Sequence, residues 1–80
     1  MLQEVTFQFT LPEAGEARLA ILDLSGRVIC APMSGSLEAG IHRAKWNARD
    51  ARGRRVAPGV YVAVLESNGT TQSRRVVVLP

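Results

Sequence analysis

Eighty residues make one domain, and a chain this short buries only about 60% of the surface its unfolded form exposes. An apolar content of 46% argues against disorder, and no run approaches the roughly 18 apolar residues of a membrane span. The net charge of +3 comes from arginine rather than from a lysine/arginine tract, so charge alone signals solubility more than nucleic-acid binding.

The first residues, Met1 to Phe9, show no basic segment followed by an apolar one, so no signal peptide is expected in this chain. Glu4 to Thr10 alternates, with Val5, Phe7 and Phe9 on one face, which predicts a half-buried strand. Leu11 to Gly15 breaks it. Glu16 to Asp23 alternates again and puts Ala17, Leu19 and Ile21 together. Asp23-Leu24-Ser25-Gly26 reads as a tight turn, because aspartate opens such turns and glycine accepts a positive φ. Arg27 to Ala31 is then the return strand, and Pro32 to Gly40 a looser connection.

Ile41 to Trp46 places His42, Ala44 and Trp46 on one face and Arg43 and Lys45 on the other. A loop is expected from Asn47 to Gly59, then a strand from Val60 to Glu66. Ser67-Asn68-Gly69-Thr70 is a second hairpin turn, and Thr71 to Leu79 the last strand. Six or seven short strands with no helix predict an antiparallel sandwich or small barrel occupying residues 1–80 as a single domain. No internal repeat is expected. The last two strands are apolar on both faces, through Val60, Val62 and Val64 against Tyr61, Ala63 and Leu65, and through Val76 to Leu79. A two-layer sandwich buries one face of each sheet, so the second should be covered by a neighbouring domain, another copy, or a reorienting bulge.

"FTLPEAGEARLAILDLSGRVI" followed by "AGIHRAKWNARDARGRRVAPGVYVAVLESNGTTQSRRVVVL" resembles the FlgD-type immunoglobulin-like module. That module occurs in flagellar hook-capping proteins and is similar to C-terminal domains of secreted bacterial proteins, including type IX secretion sorting domains. The likeness spans about Val5 to Leu79. It rests on Leu-Pro-x-x-Gly, the Asp-x-x-Gly-Arg hairpin, Ala39-Gly40 with Trp46, Gly53 with Gly59-Val60-Tyr61, and Arg74-Arg75 before an apolar strand. Asn47-Ala48 follows the tryptophan where many relatives carry aspartate and glycine, and the chain closes on Val76 to Pro80 rather than on a lysine-rich strand.

The resemblance implies an immunoglobulin-like β-sandwich of about seven strands, without catalytic residues, metal or cofactor. It would serve as spacer, docking or secretion-sorting unit of a larger secreted or cell-surface bacterial protein, or as a hook-capping module. Its partners would be proteins: domains of its parent, secretion machinery, or a copy of itself through an apolar strand edge, giving a homo-oligomer.

The richest candidate site is "KWNARDARGRRVAPGVYVAVLE", Lys45 to Glu66. It is not a P-loop, since Gly53 and Gly59 bracket no Lys-Ser/Thr and no helix follows. Asp50 is its only carboxylate besides Glu66 at the far end. Calcium prefers six to eight oxygens, so Asn47 and Asp50 are expected to accept backbone N–H groups and shape the turn. Arg49, Arg52, Arg54 and Arg55, with Arg43 and Lys45 nearby, offer phosphate contacts. Single-strand binding, however, also needs exposed aromatic platforms. Trp46 and Tyr61 are instead expected in the core, Tyr61 with its hydroxyl on backbone. Nucleic-acid and carbohydrate binding are therefore the weaker readings. Cys30, the sole cysteine, should be a small buried hydrophobe. His42 should be a structural strand residue, and Ser25, Ser34, Ser36, Ser67 and Ser73 have no triad partner in view.

Overall fold

The computed structural model describes residues 4–80; Met1, Leu2 and Gln3, which enter the signal-peptide reading, lie outside them. Six strands and no helix are found among the described residues: β1 (Val5–Leu11), β2 (Gly15–Leu22), β3 (Val28–Leu37), β4 (Gly40–Trp46), β5 (Gly59–Ser67) and β6 (Thr70–Val78). β1 and β4 form a two-stranded sheet, and the other four run in the order β3-β2-β5-β6, every pair antiparallel.

The two sheets face each other across one apolar core. Alternation decides which side chains enter it: Phe7 from β1, Leu19 and Ile21 from β2, Ala44 and Trp46 from β4, Tyr61, Ala63 and Leu65 from β5, Val76 and Val78 from β6. Ile21, fully buried, sits at its centre. This is an immunoglobulin-like all-β sandwich with six strands rather than about seven.

The largest departure from the sequence reading is at Pro32 to Gly40. β3 runs through most of that stretch instead of ending at Ala31. Leu19 faces Met33 and Ile21 faces Cys30, so Ala31 and Pro32 together stand opposite Ala20 as a β-bulge. A second irregularity follows, with Leu22 facing Val28 and Ile29 left over. Proline lacks the N–H a central strand would need, but β3 lies at the sheet edge, where a bulge accommodates it.

Both hairpin turns form where expected. Asn68, at φ 49°, and Gly69, at φ 78°, give the two left-handed positions that an Asn-Gly loop supplies. No register shift reorients β5 or β6. Val60, Val62 and Val64 face outward and are half-buried by their own neighbours, and Ala20, also on the outer face, is buried among them. Val28 and Val77 remain exposed on that side.

Candidate functional site

The arginine-rich segment between β4 and β5 is not an open loop. Arg49 and Arg55 pair as an antiparallel bridge, and Val56 N–H donates to the Ala48 carbonyl at 2.9 Å. The result is a small hairpin closed by the turn at residues 50–54. Within it the Asp50 amide donates to the Arg54 carbonyl (2.8 Å) and the Gly53 amide to the Asp50 carbonyl (3.0 Å). Oδ1 of Asp50 accepts from the amides of Arg52 (2.9 Å) and Arg54 (3.0 Å).

The β2–β3 turn repeats this pattern atom for atom. The Asp23 amide donates to the Arg27 carbonyl and the Gly26 amide to the Asp23 carbonyl, both at 3.0 Å. Oδ1 of Asp23 accepts from the amides of Ser25 and Arg27, again at 3.0 Å. Each turn also carries an arginine–aspartate contact, Arg27 Nε to Asp23 Oδ2 at 3.9 Å and Arg54 Nε to Asp50 Oδ2 at 3.6 Å. The sequence contains the turn signal twice, Asp23-x-x-Gly26-Arg27 and Asp50-x-x-Gly53-Arg54.

Both carboxylates sit below their usual range. The Ser25 hydroxyl, followed by the Arg27 amide, does most to hold Asp23 down; for Asp50 the Arg54 amide leads, followed by that of Arg52. Hydrogen bonds that need the charged form favour it. Asp50 thus shapes its turn as expected. Asn47 does not: its side chain is exposed and makes no hydrogen bond among the described residues. The backbone reversal falls one residue later, on Ala48, at φ 60° with its methyl buried in the core. The packed methyl offsets a left-handed strain of roughly 1 kcal/mol.

What anchors this hairpin is Trp46. Its indole is 3% exposed, and Nε1 donates to the Arg49 carbonyl at 2.9 Å. The Tyr61 ring meets it edge-on, centroids 5.7 Å apart, and the Tyr61 hydroxyl donates to the Ala57 carbonyl at 2.6 Å. Both aromatic rings are in the core. From the other side, the Ala51 amide donates to the Ile29 carbonyl at 3.1 Å.

The guanidinium groups do not converge on one point. Arg54 is held by Asp50, Arg49 Nη1 donates to the Gly53 carbonyl at 2.8 Å, and Arg43 Nε donates to Gln8 Oε1 at 3.2 Å, directly across the β1–β4 pair. Lys45 approaches Glu4 at 3.8 Å. His42 stacks on Phe9, centroids 5.7 Å apart, and its Nε2 donates to the Glu38 carbonyl at 2.6 Å. Cys30 is half-buried rather than fully buried, and burial pushes its thiol up, away from the reactive thiolate. Ser25 Oγ is spent on Asp23 at 2.6 Å. Among the described residues no three His, Cys, Asp or Glu side chains gather as a metal would require, and no buried side-chain polar atom lacks a partner.

A second feature, which the sequence reading missed, is a groove of about 280 Å³ along the flank between β1 and β6. Phe7 and Phe9 form one wall, Gln72 and Arg74 the other, and Leu19, Ala63 and Leu65 its floor. The signal was present in the sequence. Thr70, Gln72 and Arg74 occupy the same face of β6 as Val76 and Val78, so three of the five positions on that face are polar.

Fold and site together define an immunoglobulin-like β-sandwich module whose polar side chains mostly brace its own turns. The model of the FlgD Ig-like domain family matches residues 2–71, and the chain belongs to that family. Among solved structures it is similar to FlgD from P. aeruginosa, with TM-score 0.67 and 21% identity over 95% of this chain and 60% of that one. It is also similar to PorZ of Porphyromonas gingivalis, described as an essential bacterial surface component of the type-IX secretion system. That match has TM-score 0.62 and 23% identity over 94% of this chain and 11% of that one. The chain therefore spans about three fifths of one neighbour and a ninth of the other. No curated protein sequence matches it. No helix of the described residues is long and apolar enough to cross a membrane.

Proposed function

We propose that residues 1–80 are a single non-catalytic accessory domain that serves a larger bacterial protein, secreted or at the cell surface, by docking or spacing. One observation carries this reading: the aspartate, aromatic and histidine side chains that could carry chemistry are occupied in bracing the scaffold, while five large apolar side chains stand exposed. Asp23, Asp50, Trp46, Tyr61 and His42 each hold backbone, whereas Leu24, Val28, Ile41, Val77 and Leu79 stand out in solvent. Such exposed apolar side chains suit contact with protein. The two structural neighbours, each longer than this chain, support a module that works as part of something larger.

Replacing this segment in its parent by an unrelated sandwich of equal length tests the reading. Assembly or placement of the parent should fail while its other domains stay folded; full retention would contradict it. Two finer roles divide on a second measurement. A secretion-sorting unit exports a reporter fused ahead of it in a bacterium with type IX machinery, which is the reading the PorZ likeness favours. A hook-capping module, favoured by the FlgD family match, leaves that reporter inside and instead restores hook assembly when exchanged into a hook-cap protein.

A further inference from the structure

Among the described residues four strands have a free edge: β1 and β4 in the small sheet, β3 and β6 in the large one. Free edges invite pairing with other chains, and sheets usually blunt them with charge, proline or bulges. β3 carries Pro32 and two register shifts. β4 carries Arg43 and Lys45, and β6 carries Arg74 and Arg75. β1 reads Val-Thr-Phe-Gln-Phe-Thr-Leu, with no charge, no proline and an unbroken register against β4. It alone is unprotected.

The flank beside β1 is also where the sandwich is open. Two strands lie over four, and the groove between β1 and β6 is lined by Leu19 and Leu65 at its floor and by Phe7 and Phe9 along its wall. Across from them stands Arg74, opposite Ala63 on the inward face of β6. Its guanidinium makes no hydrogen bond or ion pair among the described residues.

We propose that β1 is a docking edge for an extended segment of another polypeptide, which adds as a third strand to the small sheet. The guest lays apolar side chains over Leu19 and Leu65 and sets a carboxylate against Arg74. Strand addition draws affinity from main-chain hydrogen bonds and specificity from alternate side chains in pockets, and both are available here. Charge decides the occupant. A second copy would bring β1, which has no carboxylate, and would oppose +3 with +3, whereas an acidic–apolar segment complements both the groove and the net charge. The proposal rests on the docking reading above and names its surface.

The test uses the full chain, isotope-labelled, with an end-blocked octapeptide alternating threonine and valine in which one valine is replaced by glutamate. Amide shifts and slowed amide exchange should appear along Val5 to Leu11 and not on the free edges of β3 or β4. Exchanging the glutamate for lysine should weaken binding about threefold to tenfold. Arg74→Glu should reverse that preference, and Arg74→Gln should abolish it; the thermal melt of each variant verifies that it folds. Absence of binding by either peptide, equal binding of both, or shifts centred away from β1 would overturn the proposal. So would β1 protection that grows with protein concentration in the absence of peptide, which would assign the edge to a second copy. A peptide that fails while the domain exchange still disrupts the parent removes this edge and leaves the docking role standing.

Discussion

The turns at 23–27 and 50–54 share five-residue chemistry and differ in everything around it. Their internal bonds agree to within about 0.2 Å, yet the first closes a hairpin between paired strands, and the second stands at the tip of a small hairpin outside both sheets. The first needs nothing but its neighbours along the chain. The second is held by Trp46 through the Arg49 carbonyl and by the Ile29 carbonyl. Asp-x-x-Gly-Arg therefore fixes the shape of a turn locally, while its place in the molecule is decided by a tryptophan it does not contain.

Trp46→Ala separates the two most strongly. Deleting a buried indole costs about 3–5 kcal/mol, a large share of the roughly 4–12 kcal/mol an 80-residue domain commands. In a denaturant melt the loss should be evident. In amide exchange, Gly53 and Arg54 should lose protection well ahead of Gly26 and Arg27. An equal loss in both turns would show that the tryptophan does not anchor the second.

Gly26→Ala and Gly53→Ala probe the opposite side, what the turns share. The φ values are 90° and 81°, and an added Cβ meets nothing within 4 Å in either place, so only backbone strain opposes it. Each substitution should cost about 1–2 kcal/mol, and the two should agree closely in thermal melts. A clear inequality would break the equivalence. Tyr61→Phe, which removes the 2.6 Å bond to the Ala57 carbonyl behind the second turn, should cost about 0.5–1.5 kcal/mol and leave the first turn untouched in exchange.

Acid should act on both turns alike and least of all. Asp23 and Asp50 have depressed pKa values in the fold, so their contribution is present above the unfolded aspartate value of about 3.9 and disappears as pH falls through the lower folded values. The melting temperature should decline over that acid range, and replacing both aspartates by asparagine should flatten the decline. A wild-type melting temperature that holds level there would contradict the assignment.

Much of this was legible in the chain. Val5-Phe7, Ala17-Leu19-Ile21 and Ala44-Trp46 announced their faces by alternation, and Asn68-Gly69 and Asp23 to Gly26 announced their turns. The inward placement of Trp46 and Tyr61 also followed from position in a strand. Pro32 to Gly40 is harder to read: with Pro32, Gly35 and Gly40 it looks like a connection, because sequence does not say whether a strand lies at an edge, where a proline is tolerated. Asn47 misled for a related reason: the backbone reversal falls on Ala48, where the buried methyl counts for more than turn preference. The β1–β6 groove depends on which strands become neighbours, a long-range property that Arg74 hints at only once β6 is known to face inward.

The claim on which most depends is that the indole lies between the sheets and the arginine-rich hairpin is scaffold held against it. Trp46 is the only tryptophan, so its fluorescence reports on that claim alone. Folded protein should emit at the short-wavelength side, resist quenching by iodide, and shift to the red on unfolding. Emission like that of a water-exposed indole in the folded state, freely quenched, would contradict the account.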